Sequence, residues 1–168
     1  FTEEEVESFR RAKELSIHRT VHAGEMGPAS SVAYAVNKLH AERIGHGYHV
    51  VQDQAIYQMC RQKGIHFETC PHSSYCTGSV SLSEAKHPIV TFAEDNANFS
   101  ISKDDPTVTN SDLNMEYRLL ERMGLNEVHF IRANLNAARS CFLPDDERKQ
   151  LVEHLYEVYG FKEWIQIN

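Results

Sequence analysis

The feature that most constrains this chain is a unit repeated four times: a short apolar stretch, a cluster of polar residues, then an amphipathic helix. Strands are predicted over 17–22, 42–46, 65–69 and 98–102 from their β-branched and aromatic content. A helix is predicted after each. The first starts near Pro28 and carries Val32, Ala33, Val36 and Leu39 on one face; the others cover 53–63, 87–95 and 111–123. Gly64 and Gly124 are placed to stop two of them. A helix over 2–14 precedes the series, with Thr2 and Glu5 at capping-box spacing. Helices over 126–140 and 144–159 follow it, the second opening on Pro144, Asp145, Asp146 and Glu147, where negative charge suits the helix dipole.

Successive strand–helix units imply a parallel α/β sheet. A closed (β/α)8 barrel needs eight such units and about 250 residues. This chain of 168 residues has half the units and opens on a helix that ought to follow a strand. Two architectures remain: a small open sheet, or the second half of a TIM-type barrel.

Composition narrows the functional classes. The length suits one domain with a real core, and a chain 41% hydrophobic and 24% charged is neither collagen-like nor low-complexity. No run approaches the ~18 apolar residues of a membrane helix, and the acidic start Phe1-Thr2-Glu3-Glu4-Glu5 is unlike a secretory signal. A net charge of −7 argues against a nucleic-acid partner, whose binding is driven by Lys and Arg, and leaves a small polar molecule as the expected ligand. Cys60, Cys70, Cys76 and Cys141 are too scattered for a disulfide framework or a zinc ribbon. They are expected to be reduced in a cytoplasmic setting, with a cell-surface or extracellular pool left open.

The polar clusters carry the chemistry. They are His22-Ala23-Gly24-Glu25, Gly45-His46-Gly47-Tyr48-His49, Cys70-Pro71-His72-Ser73-Ser74 and Lys103-Asp104-Asp105-Pro106. Each directly follows a predicted strand, so a parallel sheet puts all four on the carboxyl-end face, where α/β proteins bind ligands. A lone histidine at a strand end is ordinarily a satisfied polar residue, and Asp-Asp-Pro alone is ordinarily a turn or cap. Four such clusters on one face point instead to metal-assisted hydrolysis. His and Asp are ordinary zinc ligands, and a neighbouring Glu or His can move protons.

These same segments resemble four successive motifs of the adenosine deaminase family. They are His22–Glu25, Arg43–His49, Cys70–Tyr75 and Ser100–Pro106, in the family's order and with its approximate spacings. Asn134–Ala138 and Phe142–Pro144 extend the resemblance, which runs from about Ile17 to Gly160. It implies a (β/α)8 barrel with one Zn2+ that hydrolyses the 6-amino group of adenosine or deoxyadenosine to inosine or deoxyinosine and ammonia. By motif, it makes His22 and Asp104 zinc ligands, Glu25 the donor of a proton to purine N1, and His46 the group that orients or stabilises the attacking hydroxide. Asp105 would hydrogen-bond purine N7.

The sequence departs from the family pattern in places. Lys103 stands where many relatives have Thr, and His72 where vertebrate forms carry Trp. The family's first-strand His-x-His pair has no counterpart, since Gly45–His49 offers histidines three apart. The resemblance therefore implies strands five to eight plus two C-terminal helices, residues 1–168 forming the C-terminal half of one barrel domain. Such a half needs the N-terminal half, is expected to be inactive alone, and should expose an apolar interior. Alternatives are a related aminopurine nucleotide deaminase, such as one acting on N6-methyl-AMP, or a non-catalytic half-barrel interaction module. His18, His40, His66, His87, His129 and His154, without acidic partners in sequence, are expected to be structural, as is His49. Leu151, Val152, Leu155, Tyr156, Val158 and Tyr159 are expected to form a core stripe.

Overall fold

The computed structural model describes residues 1–161 of the chain. Helix α1 (Glu3–Glu14) opens with the expected capping box: Thr2 Oγ1 accepts the Glu5 N–H, and the Glu5 carboxylate accepts the Thr2 N–H. Strand β1 (Thr20–Ala23) begins later than expected, because Ser16 turns at φ 56° and the Ile17 N–H is still tied to the Ala12 carbonyl at the end of α1. Helix α2 (Ala29–Asn37), strand β2 (Arg43–His46), a 3-10 turn (Tyr48–Gln52) and helix α3 (Gln54–Gln62) follow. Asp53 caps α3 by accepting the N–H groups of Ala55 and Ile56. Next come β3 (His66–Thr69), α4 (Pro71–Thr77), α5 (Pro88–Glu94), β4 (Phe99–Ile101) and α6 (Pro106–Thr109). The C-terminal helices are α7 (Leu113–Arg122), α8 (Glu127–Ser140) and α9 (Asp145–Val158).

The four strands form one parallel sheet in the order β1-β2-β3-β4. Val21, Ile44, Phe67 and Phe99 share one face and are buried with Val32, Val36, Tyr57, Ile89 and Phe92. Each such side chain contributes about 1.5–3 kcal/mol on burial, which makes this helix-covered face the core.

The opposite face departs from the sequence-based expectation. In place of an uncovered apolar interior it presents Thr20, His22, Arg43, Glu68 and Ser100. Arg43 ion-pairs with Glu68, and Thr20 Oγ1 donates to Glu68 at 3.1 Å. The reason is the period-two alternation of a strand, which assigns the apolar residues to the helix side.

Two helices lie outside the predicted set, and one expectation needs correction. Segments 71–77 and 106–109 form helices, each starting at a proline whose missing N–H costs nothing at a helix start. Helix α9 has no buried residue: Val152, Leu155 and Tyr156 are half-buried and Leu151 and Val158 exposed, so they form no core stripe. Its tyrosine hydroxyls instead accept hydrogen bonds from α8: Tyr159 from Asn134 at 2.9 Å, and Tyr156 from Arg139. Among the described residues no helix is long and apolar enough to cross a membrane, and the four cysteines stand unpaired.

Candidate active site

All four polar clusters lie at the carboxyl ends of their strands, the first two starting within the last residues of β1 and β2. His22 projects from the polar face of β1 across β2. This is possible because Gly45 sits beside it: a Cβ there would lie 2.2 Å from His22 Cδ2. His46 ends β2 in the left-handed region, at φ 61°. That conformation is unfavourable for a residue with a side chain, and packing holds it. Gly47 follows at φ 74°, where a Cβ would strike Phe67 Cδ1 at 2.4 Å, so the chain turns tightly and the His46 ring is pressed inward. The ring is 3% exposed, stands edge-to-face on His22 at 4.8 Å, and is tilted over Tyr48.

His46 Nε2 is the centre of the constellation. It lies 3.5 Å from Glu25 Oε2 and 3.8 Å from Asp104 Oδ2. Its Nδ1 is buried without a hydrogen-bond partner among the described residues. Burial lowers the pKa of His46; the Glu25 carboxylate pulls the other way and His22 adds to the lowering. The ring is therefore held toward the neutral form.

Asp104, also left-handed at φ 60°, is oriented by Ser73, whose Oγ donates to Asp104 Oδ2 at 2.7 Å. Asp105 caps α6: its Oδ1 accepts from Thr107 and Val108 at 2.9 and 3.3 Å. The cap reading of the Asp pair thus holds for Asp105, while Asp104 faces His46.

Two overlapping sets of donors could hold a cation, each with its atoms within 4.8 Å of one another: His22, Glu25 and His46, and His46, Cys70 and Asp104. Imidazole and carboxylate donors of this kind suit zinc. Burial pushes the Cys70 thiol up to about 12, so without a cation beside it this donor is neutral. His22 and Asp104 belong to different sets that meet only at His46, so a tetrahedral site using both needs ligands beyond these two.

Sequence reasoning missed Ser73 as a partner of Asp104, and it missed Glu116. The latter lies on α7, is fully buried, and accepts the His72 N–H at 2.9 Å with Oε2. Its signal was present: an acid at i relative to Leu120 and Met123 at i+4 and i+7, the apolar face of the helix. Ser73 left none, since a serine in a polar motif has no periodicity to violate.

Several other histidines have structural partners. His66 bonds Asn98 and Ser100, His87 caps α5 and meets Ser74, and His129 completes a capping box at Asn126. His49 lies between the carbonyl oxygens of Gly27 and Ser79, 2.9 Å from each. His18 differs from expectation in having an acidic partner, Glu42 at 2.9 Å.

A family model described as adenosine deaminase matches residues 2–158. The adenosine deaminase of Danio rerio is 49% identical over 156 residues, covering 92% of this chain and 44% of that protein. The chain thus spans about half the length of the curated relatives it matches. Among solved structures, an adenine deaminase from Arthrobacter aurescens superposes with a TM-score of 0.83 at 26% identity, covering 92% of this chain and 47% of that one. A cog1816 amidohydrolase from Burkholderia ambifaria, solved with bound Zn, gives a TM-score of 0.83 at 23% identity over 97% of this chain and 46% of its own. These neighbours are TIM-barrel amidohydrolases, and the four-stranded sheet with its C-terminal helices corresponds to part of such a barrel.

Proposed function

The chain belongs to the adenosine deaminase family, and from that premise we propose that it forms strands five to eight and the C-terminal helices of a zinc-dependent deaminase barrel. The proposed reaction is hydrolysis of the 6-amino group of adenosine or deoxyadenosine, giving inosine or deoxyinosine and ammonia. The observation that carries this reading is the convergence of Glu25, Asp104 and His22 around His46 at one end of the sheet.

His22 and Asp104 would hold the zinc, completed by ligands from outside this chain; when bound, zinc lowers the pKa of coordinated water toward ~7 and so supplies a nucleophile at neutral pH. Glu25 gives a proton to purine N1, which makes C6 electrophilic. His46, kept toward the neutral form by burial, can accept a proton at Nε2 from the attacking water, orient it toward C6, and return that proton to the amino group as the C6–N bond breaks and ammonia leaves. Its closeness to both Glu25 and Asp104 lets one imidazole serve the acid and the metal side of the site. Asp105 Oδ2 and purine N7 are both acceptors and would be joined by a proton carried on Oδ2, which donates to N7, while Oδ1 caps α6. The scattered spacing of the four cysteines supports a reducing, cytoplasmic setting.

The test is Glu25→Gln in the full-length protein, with zinc read by elemental analysis and inosine by chromatography. Zinc should be retained while turnover falls ~10²–10⁴-fold, the usual contribution of a positioned acid. Loss of zinc along with activity would make Glu25 a ligand or a fold element. Parallel assays with N6-methyl-AMP decide the substrate class, since faster turnover of the nucleotide would overturn the nucleoside assignment.

A further inference from the structure

Glu116 has no part in the chemistry above, yet it is fully buried and its Oε1 has no hydrogen-bond partner among the described residues. Burying a carboxyl with an open acceptor is unfavourable. A methionine or leucine would continue the apolar face formed by Leu120 and Met123 without that cost. Burial also pushes the Glu116 pKa up.

What the carboxyl accomplishes is local to α4. Its Oε2 accepts the N–H of His72, the second residue of that helix, where no intrahelical acceptor exists. One residue further on, Ser73 Oγ donates to Asp104 Oδ2 at 2.7 Å. The His72 ring reaches the Thr109 carbonyl at 3.3 Å, and Thr109 Oγ1 donates to the carbonyl of Asp105 at 2.9 Å. Helix α4 is therefore wedged between α7 and the loop bearing both aspartates, and Glu116 sets its seat. Asp104 depends on that seat through Ser73, whose hydroxyl holds its carboxylate while the backbone turns at φ 60°.

We propose that Glu116 is a positioning residue that aims Asp104 at the metal site through the first turn of α4. The inference rests on the reading of Asp104 as a zinc ligand.

The experiment uses the full-length protein and compares Glu116→Gln, Glu116→Met and Ser73→Ala. Zinc affinity is measured by chelator competition, fold stability by thermal midpoint, and adenosine turnover by initial rates. Glu116→Gln keeps an acceptor for the His72 N–H and should bind zinc within about twofold of the parent. Glu116→Met and Ser73→Ala should each weaken zinc about tenfold, the lower end of the effect of outer partners of a metal ligand. Their midpoints should stay within a few degrees of the parent. The double variant Glu116→Met/Ser73→Ala should be no weaker than the worse single one, because both act through one contact.

Zinc uptake by the parent together with parental affinity in Glu116→Met would overturn the inference alone. So would losses in affinity that track losses in midpoint, or that add in the double variant, since those describe a merely structural acid. A parent that takes up no zinc and forms no inosine would overturn the proposed function, and this inference with it.

Discussion

Asp104 and Asp105 are adjacent, but the backbone aims them differently. Asp104 reaches toward His46 and is held by Ser73, whereas Asp105 is partly occupied in capping α6. Asp104→Ala should lower zinc content in the full-length protein. Asp105→Ala should keep zinc, weaken binding of purines with a nitrogen at position 7, and remove the cap, at a cost of about 1 kcal/mol of stability. A 7-deaza substrate should then show little further loss. Equal sensitivity of both variants to 7-deaza substitution would sink the N7 assignment. Gly45 tests the site from its unreactive side. In Gly45→Ala the new Cβ meets the His22 ring at 2.2 Å, so the ring must swing off β2 and zinc content should drop without removal of any ligand. A fully zinc-loaded Gly45→Ala protein would show that His22 holds no metal.

At the scale of elements, α4 and α5 are joined through His87. Its Nδ1 accepts the Ile89 N–H at 3.1 Å, and its Nε2 lies 2.8 Å from Ser74 Oγ, whose own proton goes to the Pro71 carbonyl. That pattern needs the neutral ring with its proton on Nε2. Burial agrees, pulling the pKa down to about 4. The unfolded chain binds a proton near the ordinary value of ~6.5, so below that pH unfolding is favoured by proton uptake. The contribution is complete above ~6.5, falls as pH is lowered, and levels off below about 4, for a total of about 3 kcal/mol. His87→Asn keeps a capping side chain and removes the titration. Guanidinium unfolding of the full-length protein from pH 4 to 8 should show a flatter stability profile in this variant than in the parent. Identical profiles would mean that His87 is solvated or already charged.

At the scale of the whole molecule, β1 and β4 end the sheet, each with one side of backbone groups unpaired within it. Its uncovered face is polar and tied by Arg43 and Glu68. Self-association of residues 1–168 on their own should therefore run through strand edges and be weakened little by detergent, as a large apolar patch would not be. His22 and Asp104 alone do not make a site, since a catalytic zinc has at least three protein ligands. The isolated chain should bind zinc weakly and form no detectable inosine. Mixing it with a separately made N-terminal half carrying a His-x-His pair should restore part of both. Stoichiometric zinc with deamination by the isolated chain would mean that residues within it complete the site.

The sequence by itself determined the alternation of four strands with helices, the parallel sheet and the end of the sheet where the polar clusters gather. Those follow from local rules: period two in Thr20–Ala23, a capping box at Thr2 and Glu5, and Pro144 ahead of three acids. It also pointed to His22, Glu25, His46 and Asp104, because each comes directly after a strand. Tertiary structure alone decided which atoms meet. No spacing rule states that Gly45 makes room for the His22 ring, that His46 Nε2 lies between Glu25 and Asp104, or that Ser73 turns Asp104 inward. Nor could periodicity foresee which of the two sheet faces the helices cover or that α9 buries nothing. The pattern of a strand or helix shows which residues share a face, and only packing against residues far along the chain shows what that face meets.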